Sequence, residues 1–297
     1  MSFNTPAQMT QLAIASGETK ANASPPKALV AGFLAGAYIA FGGLIATVTS
    51  AGLDPKTWGG ITTLVTGLTF SLGLILVVIA GADLLTGNMM LVPIAVLSRR
   101  VTVGKLAANW LWVTIGNLVG SVFVAWLLAD QTGLFAKDSI NFARLAAIAH
   151  GKGITETHWE QFVRAIGCNW LVCLAVWGAL AATSVSGKIL AIIPPITAFV
   201  ALGFDHVVAN MFFLPAAMMV GAGGLSLGDT VLNLVFAFLG NAVGAGVFVA
   251  GAYFYLYGNA KGLPGSAAGA PLTAVDAAPG AVAGDPSVTR AERGTLD

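Results

Sequence analysis

A thirteen-residue pattern occurs twice in this chain. Gly81-Ala82-Asp83-Leu84-Leu85-Thr86-Gly87-Asn88-Met89, closed by Pro93, returns 122 positions later as Gly203-Phe204-Asp205-His206-Val207-Val208-Ala209-Asn210-Met211, closed by Pro215. Both copies fit G-x-D-x-x-x-x-N-M-x-x-x-P. Each is followed by a second shared motif, Gly116-Asn117-Leu118-Val119-Gly120 and Gly240-Asn241-Ala242-Val243-Gly244. A duplicated half whose apolar segments are broken by Gly, Asp and Pro is the sequence mark of a membrane transport site. The copies differ at one chemically large position, where Leu84 is matched by His206.

The apolar segments fix the fold class. The chain is 57% hydrophobic and 9% charged, with a mean hydropathy of +0.84, which excludes a soluble domain. Six stretches reach roughly 20 residues, enough to cross about 30 Å of hydrocarbon. They are residues 28–49, 61–80, 106–129, 162–183, 189–220 (interrupted) and 231–256. Duplication gives three spans per half, and an odd number forces the halves into opposite orientations. The expected fold is an all-α membrane protein of six transmembrane helices in two inverted repeats, residues 28–129 and 160–257, with broken second and fifth helices. Residues 1–27 form a cytoplasmic segment, with a short amphipathic helix at 6–15, and 28–257 the channel domain.

Lys20, Lys27, Arg99, Arg100, Lys105, Lys188 and Lys261 fall on one side, and Lys56, Lys137, Arg144, Lys152 and Arg164 on the other. The excess of positive charge places both termini in the cytoplasm of a multi-pass protein of the plasma (inner) membrane. The first 25 residues or so lack a basic stretch followed by an apolar core, so no cleaved signal is expected. The tail, 258–297, is rich in Gly, Ala and Pro; its residues 264–297 read as disordered. A net charge of +1 carries no information about partners, and no nucleic acid is expected among them. Cys168 and Cys173 share the fourth span and read as packing residues, with neither a disulfide nor a metal expected.

Gly81-Ala82-Asp83 and Gly203-Phe204-Asp205 interrupt two spans near mid-depth. Gly relaxes the backbone, and an Asp can cap the helical piece that follows. Asp83 and Asp205, with Asn88 and Asn210, are therefore read as structural caps. His206 is different, because a histidine within a span marks a transport or proton pathway by default. Burial favours its neutral form until an anion arrives, whereupon donation of a proton to that anion becomes plausible. Asn169 is equally compatible with a pore-lining donor and with a helix–helix hydrogen bond. Asn117 and Asn241, beside glycines, fit close helix packing. Lys152 lies in the longest extracytoplasmic loop, where solvation is the ordinary state of a lysine.

At these residues the chain resembles the formate/nitrite transporter family. The resemblance runs from Phe70-Ser71-Leu72-Gly73-Leu74 into the first broken motif, then through the G-N-x-V-G motif. It continues in Cys168-Asn169-Trp170-Leu171-Val172-Cys173-Leu174-Ala175-Val176-Trp177 and in the second broken motif, covering about residues 27 to 256. Asp205 departs from it, since the family more often has Glu there. The resemblance implies an aquaporin-like protomer, a homopentamer with one pore per protomer, and passage of formate, nitrite and possible congeners such as hydrosulfide. By position it makes His206 the central pore histidine, Asn169 its polar companion, Thr86 the loop threonine and Lys152 the lysine of the outer mouth. It makes Leu74, Leu84 and Leu85 the cytoplasmic-side constriction, and Phe70, Val172 and Phe199 the outer one. No cofactor is implied. Paired Asn-Pro-Ala motifs are missing, against a neutral-solute channel of the aquaporin type, and no nucleophile motif or metal-spaced set supports an enzyme.

Overall fold

The computed structural model describes residues 3–222 and 224–258, so the 264–297 tail lies outside the described residues. Among the described residues the only β pairing is an isolated bridge between Phe3 and Ala182. The helices are α1 (Pro6–Ala21), α2 (Pro25–Ser50), the single turn α3 (Pro55–Trp58), α4 (Gly60–Ala80), α5 (Leu85–Leu97) and α6 (Val103–Val124). Then come α7 (Ile140–His150), α8 (His158–Ala181), α9 (Val185–Ala201), α10 (Val207–Val220), α11 (Leu227–Ala245) and α12 (Ala252–Tyr257). π-Helical turns continue α6 (Ala125–Asp130) and α7 (Gly151–Thr155), and join α11 to α12 (Gly246–Gly251).

Among the described residues, five continuous helical rods are long and apolar enough to span a bilayer: Pro25–Ser50, Gly60–Ala80, Val103–Asp130, His158–Ala181 and Leu227–Tyr257. A further span is assembled from α9 and α10, which are too short singly. The second span likewise continues past its break into α5. Six spans in two inverted sets of three result: α2, α4–α5, α6 and α8, α9–α10, α11. Several helices start earlier than their apolar stretches because polar caps extend them. The fourth begins at His158, where the Thr157 hydroxyl accepts from the Glu160 amide and Glu160 accepts from Thr157 in return.

The breaks need glycine. Gly81 and Gly203 take φ values of 78° and 71°, in the left-handed region that a Cβ disfavours. The G-N-x-V-G motifs need glycine for another reason. A Cβ on Gly120 would lie 2.0 Å from the Phe33 carbonyl oxygen, and one on Gly244 2.3 Å from that of Ile166. α6 thus touches α2 at backbone contact and α11 touches α8 in the same way, as small residues permit within membranes. Leu64, Leu68 and Leu72 on α4, with Leu111, Ile115 and Leu118 on α6, remain exposed, which suits a face turned to lipid.

The amino-terminal helix differs from expectation. It runs to Ala21 instead of ending near residue 15, and it is packed into the protein rather than laid on its surface. Thr10 and Ala13 are fully buried, and a Cβ on Gly17 would sit 1.8 Å from the Leu91 carbonyl oxygen of α5. Small residues on one face, not an amphipathic stripe, dock this helix.

Candidate functional site

The two breaks are held by matching hydrogen-bond networks. In the first half, Asn117 of α6 donates to the carbonyls of Asp83 (3.0 Å) and Gly32 (2.9 Å) and accepts from the Leu85 amide (2.9 Å). In the second, Asn241 of α11 donates to the carbonyls of Asp205 (2.8 Å) and Ala165 (2.8 Å) and accepts from the Val207 amide (2.9 Å). Each asparagine therefore satisfies the carbonyl and the amide that flank its break, as an apolar interior requires, and its third bond ties the break to α2 or α8.

A lysine closes each break. Lys20, at the end of α1, pairs with Asp83 at 2.5 Å, and Lys152, in the π turn after α7, pairs with Asp205 at 2.9 Å. The same lysines offer their carbonyls to Asn109 (3.0 Å) and Asn233 (3.0 Å), which in turn accept from Asn88 (2.9 Å) and Asn210 (2.8 Å). This lattice corrects two expectations. Lys152 is not a solvated loop residue, since its side chain is only 14% exposed. The aspartates and the asparagines Asn88 and Asn210 are not helix caps either. No side chain caps α5, and the cap of α10 is His206, whose Nδ1 accepts from the Ala209 amide at 3.0 Å. Each aspartate stands one residue before the N-cap position, which Leu84 and His206 occupy.

The N-termini of α5 and α10 meet at the middle of the protein, where their dipoles present partial positive charge. The meeting point is a 2.8 Å contact between Thr86 Oγ1 and His206 Nε2. Because Nδ1 accepts an amide proton, the neutral ring carries its own proton on Nε2, aimed at the threonine. Asn169 holds the threonine's backbone, donating to the carbonyls of Thr86 (3.1 Å) and Asn241 (2.9 Å). It is a clamp between α5, α8 and α11, and it lines neither of the cavities described next. Cys173 Sγ lies 3.5 Å from the same Thr86 carbonyl, and both cysteines are free and buried.

A cavity of about 250 Å³ opens on the side of α7 and has His206 on its wall. Phe70, Phe199 and Phe213 form an aromatic collar around it: Phe70 meets Phe199 edge to face at 5.7 Å and Phe213 at 6.5 Å, and Phe199 stacks on His206 at 5.9 Å. Further out the same cavity is lined by Arg144, Lys152, Glu156 and Arg164. A smaller cavity, about 50 Å³, lies on the opposite side and is lined by Lys20, Leu74, Leu84, Asn88 and Leu91 among others. Leu85 and Val172, expected in the constrictions, are fully buried and line neither cavity.

Six residues of the site carry no functional expectation from the sequence: Lys20, Asn109, Asn233, Arg144, Glu156 and Arg164. Asn109 and Asn233 did carry a signal, since each precedes the G-N-x-V-G asparagine by eight positions. Glu156 carried none.

A family profile described as formate/nitrite transporter matches residues 7–255. The transporter YrhG of Bacillus subtilis (strain 168) is 46% identical over 257 residues, 86% of this chain and 95% of the relative. The formate channel BtFdhC of Bacillus thuringiensis is 41% identical over 257 residues, 86% of this chain and 97% of its own. A solved structure of a pentameric formate channel with formate bound superposes with a TM-score of 0.67 at 33% identity, covering 78% of this chain and 97% of that one.

Proposed function

The chain belongs to the formate/nitrite transporter family, and from that premise we propose that it passes formate and similar small monovalent anions across a cell membrane. Nitrite and hydrosulfide are the congeners, a homopentamer with one pore per protomer is the working unit, and both termini face the cytoplasm. It acts as a channel, not as an enzyme. The observation that carries this reading is the Thr86–His206 contact at the junction of the two half-helices, with an apolar collar on one side and leucines on the other.

The physics of the passage follows from that layout. Arg144, Lys152 and Arg164 attract an anion into the outer vestibule, and their surroundings of low polarity strengthen the attraction. A bare charge is then heavily penalised at Phe70, Phe199 and Phe213, whereas the neutral acid is not. Midway, His206 Nε2–H and the Thr86 hydroxyl provide one donor and one adaptable partner for a planar three-atom solute. Leu74 and Leu84 form the inner constriction. Lys20 and Asn88 then meet the solute at the cytoplasmic mouth.

Uptake of labelled formate into proteoliposomes, with nitrite as competitor, tests the function. Entry well above that of empty liposomes, reduced by nitrite, is the expected result. Liposomes no faster than empty ones for formate, nitrite and hydrosulfide would sink it, and swelling in glycerol alone would restore the neutral-solute reading. Trimming the collar gives a second test. Phe199→Ala and Leu74→Ala are each expected to raise flux several-fold and to admit larger weak acids such as acetate and lactate, because apolar gates open when bulk is removed. Rates and selectivity unchanged in both variants would remove these residues from the pore.

A further inference from the structure

Two buried carboxylate oxygens in the outer vestibule have no hydrogen-bond partner, Glu156 Oε2 and Asp205 Oδ2. The other oxygen of each is occupied. Glu156 Oε1 accepts from Arg164 at 2.6 Å, and Asp205 Oδ1 accepts from Lys152 (2.9 Å) and from Asn210 (2.9 Å). Both side chains are nine-tenths buried or more, with exposures of 9% and 0%. An ionised carboxylate has no donor of its own, so two neighbouring carboxylates that each keep an orphan oxygen are reconciled by one proton between them. The two groups lie within hydrogen-bonding reach of each other.

We infer that Glu156 and Asp205 share one proton at the outer mouth of the pore, and that Glu156 gives it to the entering anion. The idea rests on the formate-channel reading and adds the proton source that reading lacks. His206 is poorly placed to be that source. Its Nδ1 is engaged in capping α10, which leaves a single proton on Nε2, and surrendering it would leave an imidazolate. Glu156 faces the vestibule, whereas Asp205 stands behind it and does not line that cavity.

The step balances simply. The O–H bond of the Glu156 carboxylic acid breaks, a new O–H bond forms on the substrate carboxylate, and the neutral acid proceeds into the collar. The Glu156 carboxylate left behind keeps its Arg164 bond and takes a proton from vestibule water. Every charged element around the pair suits the exchange. α7 contributes Arg144, the π turn Lys152, α8 Arg164 with Cys168 behind the lysine, and the fifth-span break Asp205 and His206. With the shared proton present the vestibule carries three cations against one carboxylate, which draws an anion in. Burial first, and the hydrogen bond with Asp205 second, hold the Glu156 carboxyl up at about 8 against the opposing pull of Lys152 and Arg164. The proton is therefore in place at neutral pH and lost in alkali.

The shape of the pH profile decides the matter. Formate uptake into proteoliposomes is measured with equal pH on both sides, from pH 6 to 9. Wild type is expected to stay nearly flat up to about 8 and to fall beyond it, following protonated Glu156. E156Q keeps a carbonyl for Arg164 but has no acidic proton, so its uptake should follow the neutral acid in bulk water and fall about tenfold per pH unit from pH 6 upward. D205N, which offers a permanent donor and removes a charge, should move the wild-type fall to lower pH, and carries the test if E156Q does not assemble. A wild-type profile in E156Q, an unmoved fall in D205N, or no fall in wild type overturns the proposal while leaving formate passage intact. Wild-type liposomes that take up no formate would instead overturn the function itself.

Discussion

His206→Phe is expected to lower formate uptake by roughly tenfold to a hundredfold at every pH, without altering the shape of the pH profile. The phenylalanine fills the same space but removes the donor at the centre of the pore. Leaving a partner unpaired in a dry site costs about 1–3 kcal/mol, and each 1.36 kcal/mol is a factor of ten in rate. The substitution also removes the ring that caps α10, worth about 0.5–2 kcal/mol of stability, so a loss of uptake alone would be ambiguous. His206→Asn separates the two effects. Asparagine is a good cap but is too short to reach Thr86, so this variant should melt close to wild type and still transport poorly. Uptake by His206→Asn equal to wild type, in protein of normal stability, would remove His206 from the transport path.

That contrast with Glu156 shows what the sequence could and could not convey. The repeated motif placed both breaks, and its one chemically large mismatch pointed to His206, because chemistry written into contiguous residues survives in the linear pattern. The lysine equivalence was hidden. Asp83 and Asp205 are 122 positions apart but Lys20 and Lys152 are 132 apart, so the segments between motif and lysine differ in length and the register is lost. Apart from the family resemblance, Lys152 reads as an ordinary loop lysine and residues 6–15 as a short amphipathic helix, and it is the buried ion pairs that tie Lys20 and Lys152 to the two breaks. The aspartate caps were misassigned by one position. An Asp caps a helix only from the N-cap position, and each aspartate stands one residue before it, where Leu84 and His206 are the N-cap residues. Glu156 was illegible. It stands 49 positions before Asp205, and only the start of α8, fixed by the Thr157–Glu160 capping box, swings it toward the fifth-span break.

Asn241→Leu is expected to cost more stability than any substitution in the pore. Leucine matches the asparagine in size and is more apolar, so a simple burial argument would make it harmless. The hydrogen bonds say otherwise. Asn241 is fully buried, and without its amide the carbonyl of Asp205 and the amide of Val207 lose this partner, whereas the Ala165 carbonyl still lies within the unbroken helix α8. Interhelical hydrogen bonds in membranes average about 0.6 kcal/mol, because freed groups usually find other partners. An orphaned buried group in a rigid site costs about 1–3 kcal/mol. The two groups here thus span roughly 1 to 6 kcal/mol. Both belong to the break itself, where the helix has been interrupted and cannot take them back, which favours the upper half of the range. A total stability of about 5–15 kcal/mol cannot absorb that loss comfortably. Asn117→Leu orphans the equivalent two groups, at Asp83 and Leu85, and is expected to behave alike. Asn169→Leu, which frees two carbonyls of intact helices, should be milder. Thermal melting of detergent-purified protein, with size-exclusion as a check on assembly, orders the three. Asn241→Leu and Asn117→Leu melting within a few degrees of wild type would mean that the breaks are held by helix packing at Gly120 and Gly244, and that the asparagines merely accompany it.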